Sequence, residues 1–215
     1  MRAFVEKSNR FLETPLDVAP RVLLLAAVVC ILPCYVFPLY DMTMFAPQYP
    51  DGLRLHIYSY KLEGGNRGQD VREINVLNHY IGMKDLAAED FTEFKWMPFV
   101  VGAMGLLFLR AAVLGKIAHL VDVVVMFLYF GAFSLWSFAY KLYRYGHDLA
   151  PTAAVKVDPF MPPLFGYRQL ANFEVYSYPG AGSYALCAVT LLLLVALVLA
   201  WRQSRGRLAA QVAAA

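Results

Sequence analysis

The residues whose spacing best suits chemistry are Asn75, His79 and Met83, which follow one another at intervals of four. Residues four apart lie on one face of a helix, so these side chains would form a column. Imidazole and thioether groups suit copper, because soft sulfur ligands select Cu(I). The sequence predicts a copper site with His79 and Met83 at its centre and His56 as the third ligand; the alternative is a face that packs or forms ordinary hydrogen bonds. Further donors in the same loops are Met42, Met44 and His147.

A second candidate is the adjacent pair His147 and Asp148. A carboxylate next to an imidazole can orient the ring as a metal ligand or a proton carrier. The alternative is that Asp148 turns the backbone ahead of Pro151, as aspartates often do in turns.

A third candidate lies within an apolar run, where His119 and Asp122 are three residues apart. An ionisable residue in a membrane segment is a functional-site hypothesis by default. We expect Asp122 to form an ion pair with Arg110 or with Lys116 on the neighbouring segment. The alternative is that Asp122 belongs to a proton path.

Four long apolar runs must position these residues, and they cover 21–40, 97–114, 119–140 and 183–201. Each is close to the length of about 20 residues that crosses a bilayer. The chain is 60% hydrophobic and 16% charged, whereas soluble domains carry about 25% charged residues. The predicted fold class is an all-α integral membrane protein with four transmembrane helices, and residues 1–215 are predicted to form a single membrane domain.

The two long connections, 41–96 and 141–182, are expected outside the cytoplasm. Lys and Arg are denser in the remaining segments, which places both termini in the cytoplasm by the positive-inside rule. Leu53–Tyr60 alternates apolar and polar residues, which predicts a strand, and residues 70–83 carry the apolar stripe of a helix. The second loop is too rich in proline to support itself. The two loops are therefore predicted to pack together as a small mixed extracytoplasmic cap.

Several function classes are excluded by what the chain lacks. It has no Gly-x-Ser-x-Gly, phosphate-loop, His-Glu-x-x-His or Cys-x-x-Cys-His motif. Its net charge of +3 is too small to indicate nucleic acid as a partner. We therefore expect a non-enzymatic protein whose partners are the lipid bilayer and other membrane or periplasmic proteins.

Short strings in the two loops carry a resemblance to a known family. They are Leu77–Met83 (LNHYIGM), His147–Leu149 and Asp158–Pro163 (DPFMPP). The chain resembles the four-span membrane proteins that accompany accessory genes of nitrous-oxide reductase in some bacteria. That resemblance implies the bacterial inner membrane and a link to copper-enzyme maturation or electron supply.

Two functions are consistent with these observations. The first is a membrane accessory protein linked to a periplasmic copper enzyme, with the outer loops contacting metal or partner. The alternative is a structural subunit of a larger respiratory or photosynthetic membrane complex that docks through the outer loops. The residues predicted to bind a partner are Tyr58, Tyr60, His147, Asp148, Phe160 and Phe165.

Overall fold

The computed structural model describes residues 2–170 and 172–213 of the chain. The chain divides into two compact units. The first comprises Met1–Leu32, Phe99–Gly131 and Ala185–Ala215, and the second comprises Pro33–Pro98 and Ala132–Tyr184. That the whole chain acts as one domain stays a prediction.

The described residues contain six α-helices. They are α1 (Arg2–Glu13), α2 (Val18–Ile31), α3 (Gln69–Tyr80), α4 (Glu93–Leu114), α5 (Ile117–His147) and α6 (Ala181–Ala213). Four segments are long and apolar enough to cross a membrane, namely Val18–Tyr35, Glu93–Leu114, Ile117–His147 and Ala181–Arg207. Their mean hydropathy of 1.9 to 2.6 identifies a multi-pass membrane protein.

The ends of two predicted spans need correction. The first span was expected to reach residue 40, but α2 gives way to a 3-10 turn over Leu32–Tyr35. Pro33 and Pro38 lack the backbone donor that a continuing helix requires. The third span was expected to end at residue 140, but α5 continues to His147, because Leu142 and Tyr145 are buried within the second unit.

A five-stranded antiparallel sheet forms the centre of the second unit, so the all-α part of the predicted fold class is not fully matched. The strands are β1 (Tyr40–Ala46), β2 (Tyr49–Ile57), β3 (Leu62–Gly64), β4 (Gly166–Leu170) and β5 (Phe173–Pro179). Their order is β3-β2-β1-β5-β4. β1 pairs with β5 over six residues, so both predicted loops contribute to one sheet.

One face of the sheet is packed. Side chains alternate across a strand, and the inward positions of β1, β2 and β5 carry Met44, Leu55 and Val175, all buried. Ile74 from α3 is fully buried in the same cluster, together with Phe160 from the proline-rich loop. This packed face is the hydrophobic core of the second unit.

A buried carboxylate joins α3 to the sheet where β3 ends. The Asp70 side chain is 2% exposed. It accepts hydrogen bonds from the backbone N–H of Arg54 (2.8 Å) and from Nδ2 of Asn66 (2.7 Å). Gly65 must be a glycine here, because a Cβ at that position would lie 2.3 Å from Oδ2 of Asp70. Oδ2 of Asp70 thus takes the place of a strand carbonyl opposite the Arg54 N–H, while the N–H of Gly65 continues the ladder by donating to the Arg54 carbonyl at 2.9 Å.

Candidate functional site

The predicted copper ligands do not lie together. α3 ends at Tyr80, and Gly82 follows with a φ of +80°, a left-handed conformation that terminates helices. Met83 is therefore not on the helix, and the assumed spacing of one turn from His79 does not apply. His79 is exposed, whereas Met83 packs against the hydrophobic core.

His56 also lies away from Met83. It is on the sheet face opposite the core, where its Nδ1 is 2.5 Å from Oδ1 of Asp41. Asn75, the first residue of the predicted column, binds the segment that follows α3. Its Oδ1 accepts a hydrogen bond from the Leu86 N–H at 2.7 Å. The described residues contain no group of three or more His, Cys, Asp or Glu that could hold a metal ion.

The structure instead brings three methionines to one internal cavity. Met42 and Met44 point inward from β1, and together with Met83 they line a space of about 40 Å³. The lining also includes Asn78, which is 2% exposed and whose Nδ2 has no partner among the described residues. Lys141 is the charged residue of this lining.

The Lys141 side chain is fixed by hydrogen bonds and an aromatic contact. Its Nζ donates to Oε2 of Glu93 at 2.7 Å and to the backbone carbonyl of Asp90 at 2.8 Å. It also lies 4.4 Å from the centre of the Phe91 ring. Ser137 donates a further hydrogen bond to Glu93 at 2.7 Å. This half-buried pair ties the start of α4 to the polar end of α5 within the second unit.

Among the described residues no layer packs on the opposite face of the sheet, and we call it the open face. It is formed by the outward side chains of Asp41, Thr43, Phe45, Arg54, His56, Glu174, Tyr176, Tyr178 and Tyr167, to which the adjacent Phe165 is added. Tyr167 and Tyr178 are each 49% exposed, and Phe165 is 68% exposed. Contiguous exposed patches of this kind often mark a surface that binds a partner.

Aromatic rings run across the open face in contact with each other. The ring centres of Tyr167 and Tyr176 are 4.9 Å apart, and those of Phe45 and Tyr176 are 5.7 Å apart in an edge-to-face arrangement. Phe165 and Tyr178 form a second edge-to-face pair at 6.3 Å. Such edge-to-face and tilted contacts are favourable arrangements of aromatic pairs and help to fix the ring positions.

Two acidic groups of the open face have partners within it. Besides Asp41 with His56, the hydroxyl of Tyr176 donates to Oε2 of Glu174 at 3.2 Å. Partial desolvation raises the pKa of Tyr176, and the bond to Glu174 raises it further. The phenol therefore remains a neutral hydrogen-bond donor at physiological pH.

The hairpin turn beside the open face adds two more tyrosines. The rings of Tyr58 and Tyr60 are 6.0 Å apart, and Nζ of Lys61 lies 4.8 Å from the centre of Tyr58. Lys61 also forms an ion pair with Glu63, and that contact raises the pKa of Lys61. Tyr58 and Tyr60 thus lie at an edge of the face, as does Phe165.

The remaining predicted partner residues lie elsewhere. Phe160 is 9% exposed and belongs to the core, because its backbone is held against Gly146 by a 3.0 Å hydrogen bond. His147 stacks on Tyr143 with 3.8 Å between ring centres. Asp148 pairs with Arg144 at 2.9 Å and not with His147. The structure shows the ion pair of Asp148 with Arg144, and the roles predicted for His147 and Asp148 from the sequence stay predictions.

In the first unit, Arg110 and Asp122 line one groove. No ion pair within 4.0 Å joins them in the described part of the chain, so the predicted Asp122–Arg110 pair is not formed. Both side chains are exposed at the groove and not buried between α4 and α5.

No family model matches this chain, and no curated protein and no solved structure matches it either. The fold and site define a class, a multi-pass membrane protein that carries a folded antiparallel sheet with one aromatic open face. The resemblance to proteins of nitrous-oxide reductase clusters rests on the short loop strings alone.

Proposed function

We propose that this chain is a non-enzymatic membrane subunit that binds a protein partner through the open face. The observation that carries the proposal is a sheet packed on one side only, with exposed rings on the other. Tyr, Phe and Arg are enriched at the centres of protein interfaces. Among them, Tyr and Arg most often dominate the binding energy. The open face supplies Tyr167, Tyr176, Tyr178, Phe45 and Arg54.

A protein is the favoured occupant because the charges of the face are few and of both signs. Lys61 pairs with Glu63, Asp41 lies beside His56, and Glu174 and Arg54 add one charge of each sign. Such a surface has no excess of one charge that would attract nucleic acid or an anionic headgroup. Its aromatic rings and hydroxyl groups instead match the mixed apolar and hydrogen-bonding surface of another protein.

The size of the face is close to what a specific interface requires. Five strands of three to nine residues, about 4.8 Å apart and with about 3.4 Å per residue, give roughly 500 Å². A standard interface buries about 800 Å² on each partner. Tyr58 and Tyr60 of the hairpin turn lie at the edge of the face and would supply part of the remaining contact area.

The proposed location follows from the distribution of basic residues. Density of Lys and Arg favours both termini in the cytoplasm, which places both sheet-forming loops outside it. In a bacterial inner membrane the partner is then a periplasmic protein or the outer part of a respiratory or photosynthetic membrane complex.

Site-specific photo-crosslinking tests the proposal. A benzophenone amino acid at position 167 or 178 of the full chain, in native membranes, should attach to one and the same protein. Position 80 is the matched control, since Tyr80 is a 57% exposed tyrosine on α3, which packs on the other face. Tyr167→Ala should reduce co-purification of that protein, and Tyr80→Ala should not. Equal adducts from position 80, or none from 167 and 178, would refute the proposal.

A second function is favoured by one observation, the three methionines at one cavity. We propose as this alternative an accessory role for a periplasmic copper enzyme, with Cu(I) held by thioethers. A competition titration of the full chain with Cu(I) tests it. Loss of binding in Met44→Leu and Met83→Leu would assign the cavity, whereas loss in His79→Ala would assign the ligand set predicted from sequence. A wild-type chain that binds no Cu(I) would exclude both.

A further inference from the structure

We propose that a groove of the first unit binds the headgroup of phosphatidylethanolamine. The groove has a volume of about 350 Å³ and is lined by α4 and α5. Its polar side chains are Arg110, His119 and Asp122, and its apolar lining includes Leu107 and Val123. The inference is independent of the partner proposed for the open face.

The depth of the polar residues suits a lipid headgroup. Arg110 lies four residues before the end of α4, and Asp122 lies five residues after the start of α5. At a rise of about 1.5 Å per residue, these offsets correspond to roughly 6 and 7.5 Å from the helix ends. The headgroup layer on each side of a bilayer is about 5–7 Å thick. The groove is therefore at the level where phosphate and glycerol lie.

The charges of the groove match a zwitterion. Arg110 and Asp122 carry opposite charges and, within the described residues, no ion pair joins them. In the headgroup layer, charged side chains of this kind can bind a lipid headgroup directly. A phosphate can accept two parallel hydrogen bonds from a guanidinium, and the His119 ring can donate a third. The carboxylate of Asp122 can then accept a hydrogen bond from the ammonium of the same headgroup.

This arrangement discriminates among common phospholipids. The ammonium of phosphatidylethanolamine has three N–H donors, like that of lysine. The quaternary ammonium of phosphatidylcholine has none, so Asp122 would lose its hydrogen bond. Phosphatidylglycerol has no cation, and Asp122 would face a net negative ligand. The groove should therefore prefer the ethanolamine lipid over the other two.

Native mass spectrometry of the full detergent-solubilised chain tests the inference. Dioleoyl phosphatidylethanolamine, -choline and -glycerol are titrated separately. The ethanolamine lipid should bind about tenfold more tightly than the choline lipid, the scale of one charge-assisted hydrogen bond. Asp122→Asn should remove that preference. Arg110→Gln should weaken all three lipids, whereas the control Lys116→Gln, an exposed cation outside the groove lining, should change none.

Each other outcome overturns the inference. Equal binding of the ethanolamine and choline lipids by the wild-type chain would show that Asp122 does not read the ammonium. Tightest binding of the glycerol lipid would show a simple anion site. An unchanged preference in Asp122→Asn, or equal effects of Arg110→Gln and Lys116→Gln, would place any bound lipid elsewhere.

Discussion

Removal of the Asp70 carboxylate should loosen the outer edge of the sheet. In Asp70→Ala the N–H of Arg54 keeps its position beyond the end of β3 but loses its acceptor at 2.8 Å. A hydrogen bond to a charged group contributes about 1.5–3 kcal/mol, and an unsatisfied buried donor adds a penalty of about 1–3 kcal/mol. We expect a loss of about 3 kcal/mol in the local free energy of opening.

Hydrogen exchange detects this change at the site itself. A loss of about 3 kcal/mol corresponds to exchange roughly 150-fold faster at the Arg54 amide when the edge opens locally. Peptides that cover β2 and α3 in the full detergent-solubilised chain should show it. Peptides from α6, which belongs in large part to the first unit, should not change.

Two further variants sharpen the test. Gly65→Ala should have a similar effect, because its Cβ would displace the same carboxylate. Asp51→Ala removes an exposed carboxylate from the same strand and is the matched control. Exchange at Arg54 within twofold of wild type in Asp70→Ala would refute the reasoning, since the carboxylate would then not be the acceptor that protects this amide.

Three other perturbations follow from the structure. Gly82→Ala should destabilise the second unit by about 1–2 kcal/mol, because φ is +80° and a Cβ would lie 2.8 Å from a neighbouring side chain. Limited proteolysis should then cut the chain after α3 faster than in the wild type. Proteolysis at the wild-type rate would contradict this. Lys141→Ala should lower the free energy of unfolding in detergent by about 2 kcal/mol, because it leaves Glu93 without its cation. The double variant Glu93→Gln/Lys141→Ala should recover part of that loss. In a chain without native cysteines, an impermeant thiol reagent applied to intact cells should label a cysteine at Asn66 and not at Gly206; the reverse pattern would invert the proposed orientation.

The spans could be predicted from the sequence because a bilayer imposes length and composition on any helix that crosses it. The strand around Leu55 could also be predicted, since Leu53, Leu55 and Ile57 alternate with polar residues. β5 could not, because it places Ser177 inward and Tyr176 outward. Strand prediction depends on the alternation of apolar and polar residues. The tyrosines on the open face are amphipathic, so this alternation is not visible in the sequence of β5.

The predicted copper site failed to assemble for a local reason. A column through Met83 needs three uninterrupted turns of helix, and Gly82 was a visible signal for a helix end. The methionine cavity could not be predicted, because it depends on the pairing of β1 with distant segments. The open face was missed for the same reason: its rings come from three strands that only the sheet brings together.

The pairing of β1 with β5 has a consequence for biogenesis. Thr43 and its partner Tyr176 are more than 130 residues apart in the chain. At a synthesis rate of about 5–20 residues per second, β1 emerges roughly 7–25 s before the strand that completes its edge. During that interval the β1–β2 hairpin exposes unpaired N–H and C=O groups, a template for pairing with other chains. A holdase that shields the hairpin until β5 has emerged would therefore raise the yield of folded protein.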